Sequence, residues 1–593
     1  MGYEYALVHV KYTVPPAVLL TLLYRPLFTK LDVYKVAFLI SVAVTYTIPW
    51  DSYLIRKGIW SYPSHVVIGP KLFDIPLEEV FFFVIQTYNT SLLYLILSKP
   101  TFQPIYLRAE RNKAHARGPL NTIWKYYQVL GQILLAGVMA VAWQMFKEGA
   151  TGTYTGLILI WAVPVLLFLW TVAYQLILSL PFSNTVFPIL LPTLYLWVVD
   201  TLALKRGTWV INHGTKFGVH LWDGLEVEEA LFFFVTNTLI VCGQLAFDTA
   251  LSVLFAFPHL FPDPPTLPSP SLLWRALLTP AKEYDEARIL GLQEAVGRLR
   301  KKSRSFYLAS STFQGQIRTD LLLLYSFCRV ADDLVDNASS IAEATSWIYK
   351  LQKYLDLACE EQASPTTHQY ISESFPSETQ SALLQLPLRK LSRKPLDDLL
   401  HGFEMDLSFT KGDSSKFPPI VTEADLDLYA HRVAGTVAHM CLELIFHDYE
   451  SAMSKEDQLR VVQAGDRMGV ALQYVNIARD IAVDARMGRV YIPVDWIHEE
   501  GLTFRSILNS PQGTRIERLR TKLLSKAFAL HRGARDAIEE LPVEARGPLR
   551  VAVESYMEIG RVLKQDGYVV KAGRATVPKL RRLRVAWKTL SQG

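Results

Sequence analysis

The segments RVADDLVD, residues 329–336, and RDIAVD, residues 479–484, decide the fold of the second half of the chain. Each segment places two aspartates four residues apart, and therefore on one face of a helical turn, with an arginine nearby. Carboxylate oxygens at this spacing suit Mg²⁺, which takes one or two carboxylates, keeps several waters and leaves its other positions to substrate phosphates. Two such pairs facing each other predict a helical site for a diphosphate.

A single Asp-x-x-x-Asp pattern is more often a solvated acidic face of a helix. The second segment changes this interpretation, because Gln473 and Asn476 extend the stripe formed by Asp480 and Asp484, and Arg479 adds a fixed cation. An acidic stripe on such an apolar helix needs a partner, and Mg²⁺ with a diphosphate supplies one.

The charge density divides the chain into two parts. Residues 1–272 contain 17 Lys or Arg and 15 Asp or Glu, whereas residues 273–593 contain 44 and 41. The first part therefore has the composition of a membrane protein and the second that of a soluble domain. The net charge of +5 on 593 residues is too small and too evenly spread to indicate a nucleic-acid partner.

Seven apolar stretches in the first part predict membrane spans. Residues 149–199 lack Lys, Arg, Asp and Glu and are long enough for two spans of about 20 residues each. The other five stretches are residues 15–24, 36–50, 80–98, 126–146 and 230–247. We therefore expect an integral, multi-pass domain in a lipid membrane.

A proline-rich stretch, residues 257–272, follows the last span. Six prolines within residues 258–270 cannot continue a helix and favour an extended spacer. Beyond it, apolar residues recur at helical spacing, with no alternating strand pattern. The predicted organisation is a transmembrane domain at 1–256, a linker at 257–272 and a soluble domain at 273–593, with an all-α fold class throughout.

A basic cluster between the third and fourth spans predicts the orientation of the chain. Its members are Lys99, Arg108, Arg111, Lys113, Arg117 and Lys125. The positive-inside bias places this loop in the cytoplasm. Seven spans then put the soluble domain on the same, cytoplasmic side.

The membrane part contains an internal duplication. The residues matched at identical spacing are Asp51, Gly58 and Trp60 in the first copy and Asp200, Gly207 and Trp209 in the second. The segment PLEEVFFF, residues 76–83, is likewise followed 150 residues later by EVEEALFF, residues 226–233. Each copy thus ends one span with an aspartate and begins the next with a glutamate pair. With one extra span between them, the two three-helix units have the same orientation, so their carboxylates gather at one side of the membrane.

Each of these acids, taken alone, is as readily an interfacial residue or a helix cap, because carboxylates favour the positive end of the helix dipole. A glutamate pair that twice enters an apolar, Phe-rich helix is harder to explain in this way, since ionisable groups at membrane depth are costly and usually functional. A carboxyl group beside Phe81, Phe82 and Phe83 should be desolvated, which favours its protonated form. It is a candidate acid for an apolar substrate.

The Pro-Leu-Glu-Glu helix start and its repeat resemble the membrane lycopene cyclases that bacteria build from two small subunits and that archaea and fungi carry in one chain. The resemblance implies a redox-neutral ring closure of lycopene, in which an acid protonates the terminal double bond and a base removes a ring proton. The catalytic residues it implies are Glu78, Glu79, Glu228, Glu229, Asp51 and Asp200, with the division between acid and base left open. Glu226 stands where the first copy has Pro76. No Gly-x-Gly-x-x-Gly segment opens a helix, so the sequence does not indicate a flavin.

Residues 285–590 resemble the squalene and phytoene synthase family. The matching segments, in the expected order, are residues 302–307, 325–336, 402–406, 429–437 and 473–493. The resemblance implies that Mg²⁺ or Mn²⁺ neutralises a departing diphosphate so that the allylic C–O bond ionises. The implied metal ligands are Asp332, Asp336, Asn476, Asp480 and Asp484. The implied substrate contacts are Ser303, Ser305, Phe306, Arg329, Gln473, Arg479, Arg489 and Tyr491. Catalytic roles are implied for Tyr325 and Tyr429, whose ring faces would stabilise a carbocation, and Tyr556 and Arg574 match loosely.

Together the two halves resemble the fungal bifunctional lycopene cyclase/phytoene synthase family. This resemblance implies that two geranylgeranyl diphosphates join head to head to give phytoene, and that a separate phytoene desaturase, a possible partner, makes the lycopene that the membrane half cyclises. Squalene synthase shares the carboxylates but ends in a nicotinamide-dependent reduction, and the sequence does not indicate a nicotinamide. The alternative is a squalene- or dehydrosqualene-type synthase tethered by a non-catalytic seven-span anchor or binding module, for which a repeated glutamate pair has no purpose.

Overall fold

The computed structural model describes residues 2–110, 120–148, 151–211, 214–362, 364–409, 418–449, 453–565, 568 and 577–592. Arg111, Lys113 and Arg117 of the predicted basic cluster, and Arg574, lie outside these residues. The chain forms two compact units, Met1–Ile289 and Leu290–Gly593. Both are helical, and the strands among the described residues are two or three residues long. The predicted all-α fold class is confirmed.

The first unit contains nine helices within its described residues. They are α1 (Glu4–Val8), α2 (Val14–Tyr24), α3 (Lys30–Arg56), α4 (Leu77–Ser98), α5 (Leu120–Glu148), α6 (Thr153–Ser179), α7 (Val186–Lys205), α8 (Val227–Ala256) and α9 (Pro270–Leu277). A π-helical turn, His9–Thr13, joins α1 to α2 in one continuous segment. Seven segments are long and apolar enough to cross a membrane, namely Glu4–Leu27, Lys30–Arg56, Leu77–Ser98, Ile123–Lys147, Thr153–Ser179, Val186–Lys205 and Val227–Ala256. The seven predicted spans are thus confirmed as apolar helices.

The duplication extends through the loops of the first unit. In each copy a short hairpin precedes the helix that begins with the glutamate pair: β2 (Lys71–Leu72) pairs with β3 (Ile75–Pro76), and β5 (His220–Trp222) pairs with β6 (Leu225–Glu226). Equivalent ion pairs join each hairpin to the preceding helix, Arg56 to Asp74 at 2.7 Å and Lys205 to Asp223 at 2.6 Å. The predicted three-helix duplication is confirmed, and it includes connecting segments too short to show a strand pattern.

A third strand pair joins the two copies to each other. β1 (Trp60–Ser61) pairs antiparallel with β4 (Val210–Ile211), with Ser61 opposite Val210. These two residues are equivalent in the duplication, since they lie 149 residues apart. The copies are therefore related by a local pseudo-two-fold axis that passes between Ser61 and Val210.

A buried ion pair connects α3 to α8 inside the membrane unit. Lys35 Nζ lies 2.5 Å from Asp248 Oδ1, and the hydroxyl of Tyr94 donates a 2.5 Å hydrogen bond to Asp248 Oδ2. Both charged side chains are at most one-tenth exposed. A charge at membrane depth is tolerated when it is paired and hydrogen-bonded in this way.

The proline-rich stretch and the residues after it pack within the first unit. Phe257 stacks on Tyr284 with ring centroids 4.9 Å apart, and Trp274 of α9 stacks on Phe168 at 5.7 Å. The division between the two compact units falls after Ile289, downstream of the predicted linker. The bounds 1–256, 257–272 and 273–593 remain a prediction.

The chain enters the second unit through α10 (Glu286–Lys302), and fourteen further α-helices follow among the described residues. They are α11 (Arg304–Ser310), α12 (Gln316–Asp336), α13 (Ile341–Glu361), α14 (Pro365–Ser374), α15 (Ser377–Leu384), α16 (Arg393–Leu407), α17 (Glu423–Ala430), α18 (Thr436–Asp448), α19 (Lys455–Arg486), α20 (Val494–Glu499), α21 (Phe504–Asn509), α22 (Thr514–Ala534), α23 (Val543–Leu563) and α24 (Lys579–Leu590). The two aspartate motifs end α12 and α19.

A π-helical turn, His431–Gly435, joins α17 to α18 beside α19. Glycine is required where the backbones meet, because a Cβ atom on Gly469 would lie 2.6 Å from the carbonyl oxygen of Ala434. Such turns often occur at functional sites. This close contact holds the turn against α19, and Tyr429 lies two residues before the turn.

Candidate active sites

The second unit encloses a cavity of about 740 Å³. This volume lies in the range of pockets that hold small-molecule ligands. Part of its wall is apolar, with side chains such as Phe313, Leu322 and Phe403. The predicted site residues that line it are Ser303, Ser305, Phe306, Tyr325, Arg329, Asp332, Tyr429, Gln473, Asn476 and Arg479.

The remaining predicted residues of this half are not among the lining residues. They are Asp336, Asp480, Asp484, Arg489 and Tyr491. Arg489 Nη1 lies 2.8 Å from Asp336 Oδ1 and so links the end of α12 to the segment after α19. Arg479, which lines the cavity, holds Asp480 with an Nη2 to Oδ2 distance of 2.5 Å.

Each aspartate motif has its own arginine. Arg329 Nη1 lies 2.9 Å from Asp332 Oδ2 and its other terminal nitrogen contacts Asp333, while Lys302 Nζ lies 3.3 Å from Asp333 Oδ1. The two motifs therefore carry cations as well as carboxylates. Such a mixed set suits a ligand that brings both a divalent cation and phosphate oxygens.

Burial and mutual repulsion raise the pKa of one carboxyl in each motif, Asp332 and Asp484. Burial raises the pKa of Asp332 to about 7, with the nearby Asp336 adding to the shift. Burial likewise raises the pKa of Asp484 to about 8, and Asp480 adds to it. A divalent cation beside these groups would favour their ionised forms. Among the residues the structure describes, no three Asp, Glu, His or Cys side chains are grouped closely enough to enclose one ion.

Two further residues belong to this cavity. Asp406 on α16 accepts hydrogen bonds from Tyr491 at 2.8 Å and from Tyr429 at 3.3 Å, and burial raises its pKa to about 6. Tyr556 on α23 donates a hydrogen bond to Asn476 and stacks on Phe306 with centroids 5.1 Å apart. Asp406 lies in the segment 402–406, which already matched the squalene and phytoene synthase family in the sequence. Tyr556 matched that family only loosely.

The first unit contains a smaller cavity, of about 40 Å³, between the two copies of the duplication. The first copy contributes Tyr5, His9, Tyr62 and Glu79, and the second copy contributes Asp200, Trp209 and Glu229. Phenylalanines from the starts of α4 and α8 complete the wall. Three of the six predicted acids thus line one cavity.

The two glutamates of each pair have different surroundings, because successive residues of a helix point about 100° apart. Glu78 and Glu228 accept 2.7 Å hydrogen bonds from the backbone N–H groups of Ile68 and Phe217, respectively, and hold the preceding loop. Glu79 and Glu229 instead face the cavity. The pairs therefore combine one loop-anchoring carboxyl with one carboxyl that lines the cavity.

Tyrosine hydroxyls contact both cavity-facing glutamates. Glu79 accepts a hydrogen bond from Tyr5 and another, of 2.6 Å, from Tyr62, while Glu229 accepts one of 2.6 Å from Tyr154. Tyr5 and Tyr154 are equivalent in the duplication. Loss of hydration, followed by the charge of Glu79, raises the pKa of Tyr62 well above its usual value, so Tyr62 remains a neutral donor.

The two predicted aspartates are both buried but are not equivalent. Asp200 lines the cavity and accepts a 3.2 Å hydrogen bond from the indole N–H of Trp209. Asp51 is not among the lining residues, and the equivalent indole of Trp60 lies near it without good hydrogen-bond geometry. The structure thus brings Glu79, Asp200 and Glu229 together at one cavity, whereas Asp51 is not among the lining residues.

These features define an all-helical isoprenoid synthase unit joined to a seven-helix membrane unit that carries its own acidic cavity. A family model described as squalene/phytoene synthase matches residues 299–581. Proteins named bifunctional lycopene cyclase/phytoene synthase are 65% identical in Phaeosphaeria nodorum, over the full length of both chains, and 48% identical in Neurospora crassa, over 99% of each. The chain belongs to the bifunctional lycopene cyclase/phytoene synthase family.

A solved structure of a dehydrosqualene synthase in complex with a ligand is 22% identical and has a TM-score of 0.41. It covers 51% of this chain and 96% of its own. The family assignment rests on the full-length relatives.

Proposed function

We propose that the second unit condenses two geranylgeranyl diphosphates to phytoene and that the first unit cyclises lycopene. The observation that supports the synthase activity is the cavity of about 740 Å³, whose apolar wall suits prenyl chains and whose polar wall contains Arg329, Asp332 and Arg479. Membership of the bifunctional family supports both activities.

The carboxylates of the two motifs fit a divalent metal. Asp332 and Asp336 on α12, with Asp480 and Asp484 on α19, offer the hard oxygen donors that Mg²⁺ or Mn²⁺ prefers, and Asn476 adds an amide oxygen. The raised pKa values of Asp332 and Asp484 reflect carboxyls that are buried without enough positive charge. When bound, the metal neutralises charge on a leaving diphosphate. Because no three of these groups converge among the described residues, each ion would take one or two carboxylates and complete its shell with water and diphosphate oxygens.

The residues of this chain would position the diphosphates and protect the cations. Arg329, Arg479 and Lys302 supply positive charge, and the hydroxyls of Ser303 and Ser305 supply donors at the same cavity. A first allylic C–O bond breaks, and its electron pair leaves with the diphosphate. The double bond of the second substrate attacks the cation and loses a proton to close a cyclopropane. The second diphosphate then leaves, and rearrangement and loss of another proton give phytoene.

Aromatic faces would stabilise the carbocations without capturing them. Phe306 and Tyr556 form one stacked pair in the cavity, and Tyr429 stacks on Tyr491 with centroids 4.9 Å apart. Each face contributes roughly 0.5 to 2 kcal/mol to a cation above it. The apolar lining excludes water, which would otherwise trap the cation as an alcohol.

In the membrane unit, the cavity-facing acids would carry the ring closure. One carboxyl gives a proton to the terminal double bond of lycopene, the neighbouring alkene attacks the tertiary cation, and a second carboxyl takes a ring proton. Glu79 and Glu229 are the candidates for these two roles, with Asp200 beside them. Glu78 and Glu228 are positioning residues in this proposal, because each holds a loop through a backbone N–H group.

The basic loop residues Lys99 and Arg108 support a cytoplasmic position for the synthase unit. Phytoene must lose hydrogen atoms before it can serve as lycopene for the first unit. A desaturase must therefore act between the two reactions, and we propose that it associates with the same membrane.

Reciprocal variants test the two assignments. In a host that supplies geranylgeranyl diphosphate and a desaturase, Asp332→Asn should abolish phytoene formation, while the variant still cyclises lycopene supplied to it. Glu79→Gln should accumulate lycopene with phytoene formation intact. The exposed Asp356→Asn is the matched control for the first variant. Loss of both activities in either variant would contradict separate sites, and unchanged β-carotene in Glu79→Gln would refute the cyclase assignment.

A further inference from the structure

We propose that the membrane unit closes both rings at one site, located between the two copies of the duplication, so that the two ends of lycopene enter the same cavity in successive rounds. This inference rests on the proposed cyclase function. It replaces the simplest interpretation of the repeat, in which each copy serves one end of the substrate.

The pseudo-two-fold axis relates two positions in the membrane unit at which an acidic cavity could form. One position uses Glu79 with Asp200 and Trp209 of the other copy, and the related position would use Glu229 with Asp51 and Trp60. An enzyme with two working sites would keep the same type of side chain at both positions. The structure instead shows that the two positions have diverged.

The first position keeps a cavity with several polar groups in its wall. Tyr62 donates a hydrogen bond to Glu79, and His9 is buried with its Nε2 3.0 Å from the backbone oxygen of Glu78. The small side chain of Val199 leaves space between the copies. Glu229 of the second copy also reaches this cavity, so the acids of both copies serve one position.

The related position is filled with apolar and aromatic side chains. Ile211 replaces Tyr62, Ile158 replaces His9, and Trp50 replaces Val199, each at a separation of 149 residues. Trp50 stacks on Trp161 with centroids 4.8 Å apart and lies nearly parallel to Phe232 at 5.8 Å. Trp60, which also lines the cavity at the first position, packs edge-on against Trp50 at 5.9 Å. These contacts fill the space that the second copy of the cavity would need.

A single site satisfies the proton balance of the reaction. Ring closure is an isomerisation, so the proton given up by one carboxyl is matched by the proton taken from the ring by another. Because Glu79, Asp200 and Glu229 line one cavity, a proton on the base can return to the acid before the second round. The product with one ring, γ-carotene, must leave or reverse its direction before its open end reaches the same acids.

The cavity of about 40 Å³ has room for only a few water molecules and is too small for an end of lycopene. The end of lycopene must therefore displace lining side chains to reach the acids. Phe82 and Phe232, which line the cavity and belong to different copies, are candidates for this adjustment.

Three variants of the full-length chain test the inference in a lycopene-producing host: Glu79→Gln, Glu229→Gln and Asp200→Asn. With one site, each variant should lower the formation of the first ring at least about 100-fold, the usual contribution of an acid or base group. Lycopene should accumulate without γ-carotene. Phytoene formation from the second unit, together with the amount of protein in the membrane, reports whether each variant has folded.

The results can refute the single site without refuting the cyclase function. If Glu79→Gln or Glu229→Gln stops at γ-carotene, the cyclase assignment stands and the single site is refuted. If β-carotene formation is unchanged in all three variants, the cyclase assignment itself fails. The matched control Ile211→Val, at the filled position, should keep at least half of the wild-type rate of ring formation.

The unaltered chain provides a second measurement. When lycopene is supplied in increasing excess to membranes that contain the enzyme, lycopene and γ-carotene should compete for the same cavity. The ratio of β-carotene to γ-carotene should therefore fall several-fold as lycopene rises. A ratio that stays constant would mean that both ends are closed together, and this would overturn the inference.

Discussion

The hydroxyl of Tyr154 donates a 2.6 Å hydrogen bond to the carboxylate of Glu229 in the core of the membrane unit. Tyr5, 149 residues earlier, contacts Glu79 in the same way. The duplicated unit is therefore a tyrosine–glutamate pair held by three helices. Replacing either phenol should change the acid chemistry while leaving the loop anchors Glu78 and Glu228 in place.

The Tyr154→Phe and Tyr5→Phe variants should each slow lycopene cyclisation about 10- to 100-fold. A hydrogen bond to a charged group contributes about 1.5 to 3 kcal/mol, and phenylalanine keeps the ring while removing the donor. Pigment analysis after a timed supply of lycopene measures the effect. Tyr46→Phe is a matched control, because its hydroxyl contacts the backbone oxygen of Trp161 rather than an acid; an equal loss in that variant would mean that packing is responsible.

The Tyr556→Phe variant should lower phytoene formation roughly 10-fold, because it loses the hydrogen bond that orients Asn476 but keeps the stack on Phe306. Product formation from geranylgeranyl diphosphate at several Mg²⁺ concentrations gives the comparison. If Asn476 is a metal ligand, the concentration of Mg²⁺ needed for half-maximal rate should rise. A lower rate with an unchanged Mg²⁺ requirement would contradict this role for Asn476.

The stability of the metal-free protein should fall as the pH rises from about 4 to about 8. Burial raises the folded-state pKa of Asp332 to about 7 and of Asp484 to about 8, above the value of about 3.9 in an unfolded chain. Between these values the folded state binds more protons than the unfolded state, so raising the pH favours unfolding. The midpoint temperature Tm of thermal unfolding measures the effect.

Mg²⁺ with a diphosphate should raise this Tm more at pH 8.5 than at pH 6.5, because the bound ion favours the ionised carboxylates. The Asp484→Asn variant removes one of the two groups and should flatten the pH dependence. A variant with the same pH dependence as the unaltered chain would show that other groups are responsible.

The Lys35→Met variant should destabilise the membrane unit by about 3 to 5 kcal/mol, because it leaves the buried charge of Asp248 without its partner. The double variant Lys35→Met/Asp248→Leu should recover most of this loss, since neither charge then remains. Thermal unfolding of the purified chain in detergent measures both. The ion pair would not be a stabilising contact if the single and double variants unfolded at the same temperature.

Residue patterns predicted the general fold because its strongest signals are compositional. Charge-free stretches marked the spans, and the two aspartate motifs marked the ends of α12 and α19. The hairpins before Glu78 and Glu228 were missed, since strands of two or three residues have no detectable alternation. Tyr5 and Tyr154 were also missed, although extending the 149-residue repeat upstream of Asp51 would have paired them.

The difference between the two copies of the membrane unit could not be predicted in the same way. Trp50 and Val199 are equivalent by number, but only the arrangement of the helices shows that one fills a cavity and the other lines it. The sequence likewise could not separate Glu78 from Glu79, because their roles depend on which one meets the N–H group of Ile68. Contacts between residues far apart in the chain carry this information.

The most direct test of the central claim is expression of the unaltered chain in a host that supplies geranylgeranyl diphosphate, with and without a phytoene desaturase, followed by analysis of the pigments. We predict phytoene alone without the desaturase, and carotenoids with β-ionone rings when the desaturase is present. Squalene or dehydrosqualene in the first host, or lycopene without rings in the second, would contradict the account.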